Sequence, residues 1–276
     1  MDYIEVDCRI FPPRYAEIVM AEFAEYGFES FADNDQGFQG YIPANLFSED
    51  TFSGLDIFQN KEIKINFSLK TIPDENWNAV WESNFEPVSI GDTCYIRAPY
   101  HPEKAGVRYE IIIEPKMSFG TGHHETTHLM AQLLLEMELA GKTVLDMGCG
   151  TGILAILAGK KKASKVVAID NDEWAFNNAK ENIIKNHVPE IEVLMGDASL
   201  LKVYQFDLVI ANINRNILLN DIPTYATAIK PRGLLAMSGF YMDDLEIITA
   251  KAKECGLPFI RNLSMNNWCA SLYRKE

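Results

Sequence analysis

A chain of 276 residues has room for two domains or for one large domain with an appendage, and 47% hydrophobic with 23% charged residues is the balance of a soluble globular protein. No stretch approaches the roughly 20 apolar residues of a membrane span, and Met1-Asp2-Tyr3-Ile4-Glu5 lacks the basic and apolar run of a secretory signal, so no membrane partner is expected. The net charge of −14 is uneven: residues 1–50 hold eleven acids against Arg9 and Arg14, a net −9 that repels phosphate backbones and attracts a basic partner, so no direct nucleic-acid ligand is expected.

Tyr3 to Ile10 alternates as a strand does and stops at Pro12-Pro13. Tyr15, Val19, Phe23 and Tyr26 then recur at helical spacing until Gly27 ends the helix. Phe28 to Tyr41 is aromatic-rich around Asp33-Asn34-Asp35-Gln36-Gly37, a hairpin signal, and Ile63 to Leu69 alternates again. Read as strand, helix, strand, helix, strand, residues 1–73 predict a small ferredoxin-like α+β domain with no candidate catalytic cluster. In 74–118, Asp74-Glu75-Asn76 predicts the cap of a short helix carrying Trp77, Trp81 and Phe85 on one face, as packing anchors between domains. Strands at 94–98 and 109–113 follow, and the segment reads as an aromatic-rich connector into a domain at 119–276.

From about 124 onward apolar strands alternate with amphipathic helices. The strands fall at Thr143–Asp146, Lys165–Asp170, Ile191–Leu194, Phe206–Ala211 and Leu234–Ser238. Continuous apolar strands between helices imply a parallel, doubly wound sheet covered on both faces, with its ligand outside the carboxyl ends of the strands. The five cysteines, Cys8, Cys94, Cys149, Cys255 and Cys269, form no CxxC pair and read as reduced thiols, which places the chain in the cytoplasm.

The run Val144-Leu145-Asp146-Met147-Gly148-Cys149-Gly150-Thr151-Gly152 puts three glycines between a strand and a helix, where the backbone must turn sharply and approach a ligand closely. A dinucleotide fingerprint requires a small residue at 153, and Ile153 stands there. Asp170 ends the next strand, 22 residues after Gly148, where a carboxylate accepts both ribose hydroxyls; its competing reading is a helix cap, which Asn171 or Asp172 could supply. Asp197 closes the third strand, as an adenine contact or as a turn residue. Asn212 closes the fourth, where an amide oxygen can hold a neutral amine with its lone pair aimed, so that positioning supplies most of the catalysis; the other reading is a cap of the following helix. His124-Glu125-Thr126-Thr127-His128 spells H-E-x-x-H, the zinc-peptidase pattern, but no third ligand is evident nearby and the glycine motifs downstream would go unexplained.

Asp-x-Gly-x-Gly-x-Gly resembles the first motif of the seven-stranded S-adenosylmethionine-dependent methyltransferases. Phe119-Gly120-Thr121-Gly122-His123-His124-Glu125-Thr126-Thr127 standing before it resembles the bacterial PrmA family, methyltransferases of large-subunit ribosomal protein eleven, over essentially the whole chain. That family commonly has Pro where Glu125 stands here, so the zinc pattern is read as accidental, and an apolar residue where Asn214 stands, which bears on local packing. The resemblance implies a seven-stranded Rossmann-like catalytic domain with S-adenosylmethionine contacts at Thr127, Gly148, Asp170 and Asn212. It also implies a cover over the cofactor from the Phe119, Gly120, Thr121 loop. Gly150 and Asp197 complete the expected cofactor site, and Asn212 is the expected catalytic residue. It further implies methylation of lysine ε-amines and the α-amine of one ribosomal protein, captured by the N-terminal domain; the chain is expected to act as a monomer. A methyltransferase of nucleic-acid bases or glutamine amides would show Asn-Pro-Pro-aromatic, whereas Ile213-Asn214-Arg215 follows Asn212. A non-catalytic scaffold would not need Asp170 and Asn212 beside an intact glycine loop.

Overall fold

A computed structural model describes residues 2–34, 37–72, 85–116 and 118–276, with the chain divided into two units, Met1–Ala79 and Val80–Glu276. In the first unit the alternation of β1 (Tyr3–Phe11) turns Val6, Cys8 and Ile10 inward. The helix Ala16–Tyr26 buries Val19 and Phe23 and ends at Gly27, whose φ of 116° suits a residue without Cβ. A hairpin follows, β2 (Ser30–Asn34) and β3 (Gly37–Pro43); its turn residues Asp35 and Gln36 lie outside the described residues. Two short helices, Glu49–Ser53 and Asp56–Gln59, precede β4 (Lys64–Ile72). The sheet is antiparallel in the order β2-β3-β1-β4, the ferredoxin-like arrangement with its second helix broken in two. Phe23 is the hub of its core, with ring centroids 5.0 Å from Phe28, 5.3 Å from Phe38 and 4.8 Å from Phe52.

The second unit begins with segments expected to be a connector. Trp77 and Trp81 lie outside the described residues; Phe85 is buried. Beyond it, β5 (Val88–Ile90), β6 (Cys94–Arg97) and β7 (Tyr109–Ile112) form a sheet of their own. Ile90, Cys94, Ile96, Ile111 and Ile113 enter the same core as the helices Glu125–Glu136 and Ile153–Lys160, so residues 88–113 are a layer of this unit rather than a spacer. Their alternating apolar residues need that core to be buried.

The large sheet holds β8 (Thr143–Met147), β9 (Lys165–Asp170), β10 (Ile191–Met195), β11 (Phe206–Asn212), β12 (Ile229–Tyr241), β13 (Phe259–Met265) and β14 (Trp268–Arg274). Its order is β10-β9-β8-β11-β12-β14-β13, parallel from β10 to β12, with β14 inserted antiparallel between β12 and β13. Apolar cores lie on both faces. The helix Glu173–Lys185 joins the two helices named above on one face, and Arg215–Ala228 and Leu245–Glu254 cover the other. β12 starts at Ile229, earlier than the expected 234, through an irregular start in which Arg232 has φ 65°. The β13–β14 hairpin turns on Asn266 and Asn267, with φ of 47° and 66°, the paired left-handed residues of a two-residue turn. The order reverses between β8 and β11, which opens a crevice at their carboxyl ends.

Candidate active site

β8 delivers Asp146 and then the glycine loop into that crevice. Gly148, Gly150 and Gly152 have φ of 69°, 54° and 78°, all left-handed, where L side chains are strained. Space is a second constraint: a Cβ on Gly148 would stand 2.3 Å from Ile213 Cγ2, and one on Gly150 2.2 Å from the Phe119 carbonyl oxygen. Asp146 is fully buried beneath the loop and accepts the Ala155 N–H at 3.0 Å. Gly152, the residue before the helix, supplies no side-chain cap, so Asp146 performs that service from the strand. Burial pushes the Asp146 carboxyl up to about 7; the Ala155 N–H opposes the rise and the Asp170 charge adds to it.

Asp170 ends β9 and accepts the Gly150 N–H at 2.9 Å through Oδ2 and the Asp172 N–H at 3.0 Å through Oδ1. Asp172 caps the helix Glu173–Lys185, accepting from Ala175 N–H at 2.8 Å, so the capping alternative for Asp170 falls to its neighbour. Asp197 is exposed and accepts the Ser199 N–H at 2.8 Å, a turn-capping contact. Asn212 ends β11, nearly buried at 8% exposure; its Nδ2 donates to Thr127 Oγ1 at 3.4 Å, and its Oδ1 has no partner. The cap of the next helix is Asn214, which accepts the Ile217 N–H at 3.1 Å, so Asn212 is not spent on capping. The same contact explains an amide at position 214.

The Phe119–Gly120 segment lies directly against the glycine loop. Thr151 N–H donates to the Phe119 carbonyl at 2.9 Å and Thr151 Oγ1 to the Gly120 carbonyl at 2.5 Å. An open groove beside it is lined by Lys116, Phe119, Thr121, His123, His124 and Glu125, among others. In the H-E-x-x-H run, His124 is the helix N-cap, its Nδ1 accepting from Thr126 N–H at 3.2 Å, and Glu125 accepts from Asn266 Nδ2 at 3.0 Å. Direct hydrogen bonds join Asn212 to Thr127, Gly150 to Asp170, and Thr151 of the glycine loop to Phe119 and Gly120; Gly148 follows β8, the strand beside β11, Thr121 stands at the groove and Asp197 on the next loop.

Sequence reasoning missed an asparagine ladder. Asn178, Asn182 and Asn186 recur every fourth residue and are buried. Asn186 accepts the Ile112 N–H at 2.9 Å and donates to the Ile112 carbonyl at 2.6 Å. Asn182 accepts the Glu114 N–H at 2.8 Å and donates to the Thr151 carbonyl at 3.0 Å. Lys185–Glu114 and Lys116–Glu181 ion pairs flank the rungs. Asn182 therefore ties the glycine loop to the segment that leads to Phe119. The signal was present in the sequence as three asparagines at helical spacing, which otherwise read as a solvated face.

A sheet in this order with its seventh strand antiparallel, and a glycine cradle between β8, which carries Asp146 one residue before its end, and an acid-ended β9, defines an S-adenosylmethionine-dependent methyltransferase. A profile of the ribosomal protein L11 methyltransferase (PrmA) family matches residues 17–276, and the chain belongs to that family. The ribosomal protein L11 methyltransferase of Phocaeicola vulgatus is 46% identical over 98% of both chains. That of Porphyromonas gingivalis is 48% identical over 92% of this chain and 89% of its own. The solved ribosomal protein L11 methylase of Lactobacillus delbrueckii subsp. bulgaricus is 26% identical, with a TM-score of 0.65, covering 70% of this chain and all of that one.

Proposed function

We propose that the chain methylates lysine ε-amines and the N-terminal α-amine of ribosomal protein L11 in the cytoplasm, as a monomer without direct nucleic-acid contact. The observation that carries this reading is Asn212 Oδ1, a buried acceptor without a donor at the carboxyl end of β11. An unsatisfied buried oxygen is costly and calls for a ligand N–H. S-adenosylmethionine supplies an electrophilic methyl group when bound. Gly148 and Gly150, closed to any Cβ, leave the backbone free to meet it, and Asp170 has lone pairs left for a ribose diol. Thr127, Asp197, Phe119, Gly120 and Thr121 complete the cofactor's surroundings.

Asn212 would accept an N–H of the incoming amine and aim its lone pair, so that orientation supplies most of the rate. The amine must arrive neutral, from a starting pKa of about 10.4 for lysine or ~8 for an α-amine. Capture of the protein substrate is assigned to the first unit, whose acidic residues suit a lysine-rich client. Incubation of the purified chain with S-adenosylmethionine and free L11 should add methyl groups in 14-dalton steps, read by mass spectrometry. Transfer to ribosomal RNA with L11 unmodified would overturn the reading.

A further inference from the structure

Four rings run in an unbroken row across the second unit. Phe119 and His124 have centroids 5.1 Å apart, His124 and Trp268 4.7 Å, and Trp268 and Tyr241 4.1 Å. Phe119 is 52% and Tyr241 46% exposed, so the row is open at both ends. Three of the four stretches that carry a ring also carry a part of the crevice, and Trp268 pairs with the third of them at Tyr241. The Phe119 carbonyl accepts from Thr151 in the glycine loop; His124 caps the helix that presents Thr127; Tyr241 lies three residues beyond Ser238, the β12 partner of Asn212. Glu125, the residue after His124, accepts from Asn266 Nδ2 at 3.0 Å, a contact that holds its carboxyl below its ordinary range, so the stretch that carries His124 also carries a negative charge.

We infer that Phe119, His124, Trp268 and Tyr241 form a docking station for the substrate's alkylammonium side chain, unmethylated or already methylated, at the mouth of the transfer site. This rests on the reading of that site as an amine methyltransferase. Aromatic faces attract ammonium groups, quaternary ones included. The station and the transfer site have opposite requirements, because ring faces favour a charged amine whereas methyl transfer requires a neutral one. A rim station separate from the nearly buried Asn212 meets both: the charged side chain is collected outside, where it gives its proton to solvent water before it enters. Transfer to the neutral amine releases the neutral thioether and leaves a methylammonium cation, which the rings collect again and which must lose a proton before any further transfer.

Tetramethylammonium is the probe, with neutral tert-butanol as its uncharged counterpart. In the wild-type chain, tetramethylammonium should change Trp268 fluorescence, a change absent from Trp268→Phe, and should compete with L11 in methylation assays while tert-butanol does not. Tyr241→Leu removes an exposed ring and Trp268→Leu the middle of the row. Each should raise the KM for L11 about five- to thirty-fold, the range of a ring–cation contact, with S-adenosylmethionine affinity and Tm unchanged in Tyr241→Leu and recovery of KM in Trp268→Phe. Unchanged KM and unchanged inhibition in Tyr241→Leu, or equal inhibition by tert-butanol, would overturn the station. The fluorescence titration needs no turnover, so a wild-type chain that binds tetramethylammonium but never methylates amines would overturn the reading of the transfer site and leave the cation station standing.

Discussion

Asn212 has one hydrogen bond to Thr127 and one free oxygen, and both halves of the amide have consequences. Asn212→Ala removes the acceptor for the amine and should lower kcat by about two orders of magnitude, in line with the loss of a positioning contact, with a smaller change in S-adenosylmethionine affinity. Stopped turnover with normal binding would support the role, and unchanged kcat would remove it. Gly150→Ala would bring a Cβ onto the Phe119 carbonyl at a left-handed φ. A loss of about 1–3 kcal/mol is expected, seen as a lowered Tm together with weakened cofactor binding. Asp146 carries a pH signature. Its carboxyl titrates at about 7 in the fold and near ~3.9 unfolded. Between those values the folded chain keeps a proton that the unfolded chain has lost, so this group's stabilising contribution is complete at low pH and disappears as pH rises through 7. Asp146→Asn retains an oxygen for the Ala155 N–H and should flatten the decline of Tm between pH 4 and 7 relative to wild type.

Among the elements, β8, β9 and β11 could be read from apolar runs, because burial on both faces leaves little room for polar alternation, while β1 and β4 could be read from alternation. β12 was seen only from Leu234 onward, since Pro231 and Arg232 interrupt the pattern that its pairing with β11 overrides. The hairpin of β13 and β14 was missed because Asn266-Asn267 is a weaker turn signature than Asn-Gly, although both residues adopt the left-handed turn. Asn267→Gly should therefore raise Tm slightly and Asn267→Val lower it, since a β-branched residue opposes positive φ. Identical melting of the two variants would show that the turn is not under conformational demand. The choice between Asp170 and Asp172, or Asn212 and Asn214, as helix caps could not be read from sequence, because capping depends on where the strand ends, and that is set by pairing with neighbours.

At the scale of the molecule, the two units have separate cores, and the first is organised around Phe23. Phe23→Ala should destabilise that unit by about 3–5 kcal/mol, and calorimetry should show its transition moving while the catalytic unit's stays in place. If capture of L11 resides there, the same variant will lose protein methylation at elevated temperature before it loses S-adenosylmethionine binding; simultaneous loss would argue against separate roles. The charge of residues 1–50 and the existence of a small domain were legible in the sequence. That residues 88–113 pack into the core of the second unit was not, since their short strands show no partner until the apolar face of the helix Glu125–Glu136 is available to cover them.

The asparagine ladder sets a length standard. Two residues of extended chain advance about 6.6 Å and four residues of helix about 6.0 Å, so Ile112 and Glu114 keep step with Asn186 and Asn182 as the teeth of two scales nearly coincide. The coincidence makes this stretch intolerant of insertion. One extra residue between Ile112 and Glu114 would turn the following N–H groups to the opposite side, uncouple the Asn182 rung and shift every later residue along the scale. Phe119 would then arrive out of phase with Thr151, and the distance from helix to glycine loop, measured off by the chain itself, would no longer come out right.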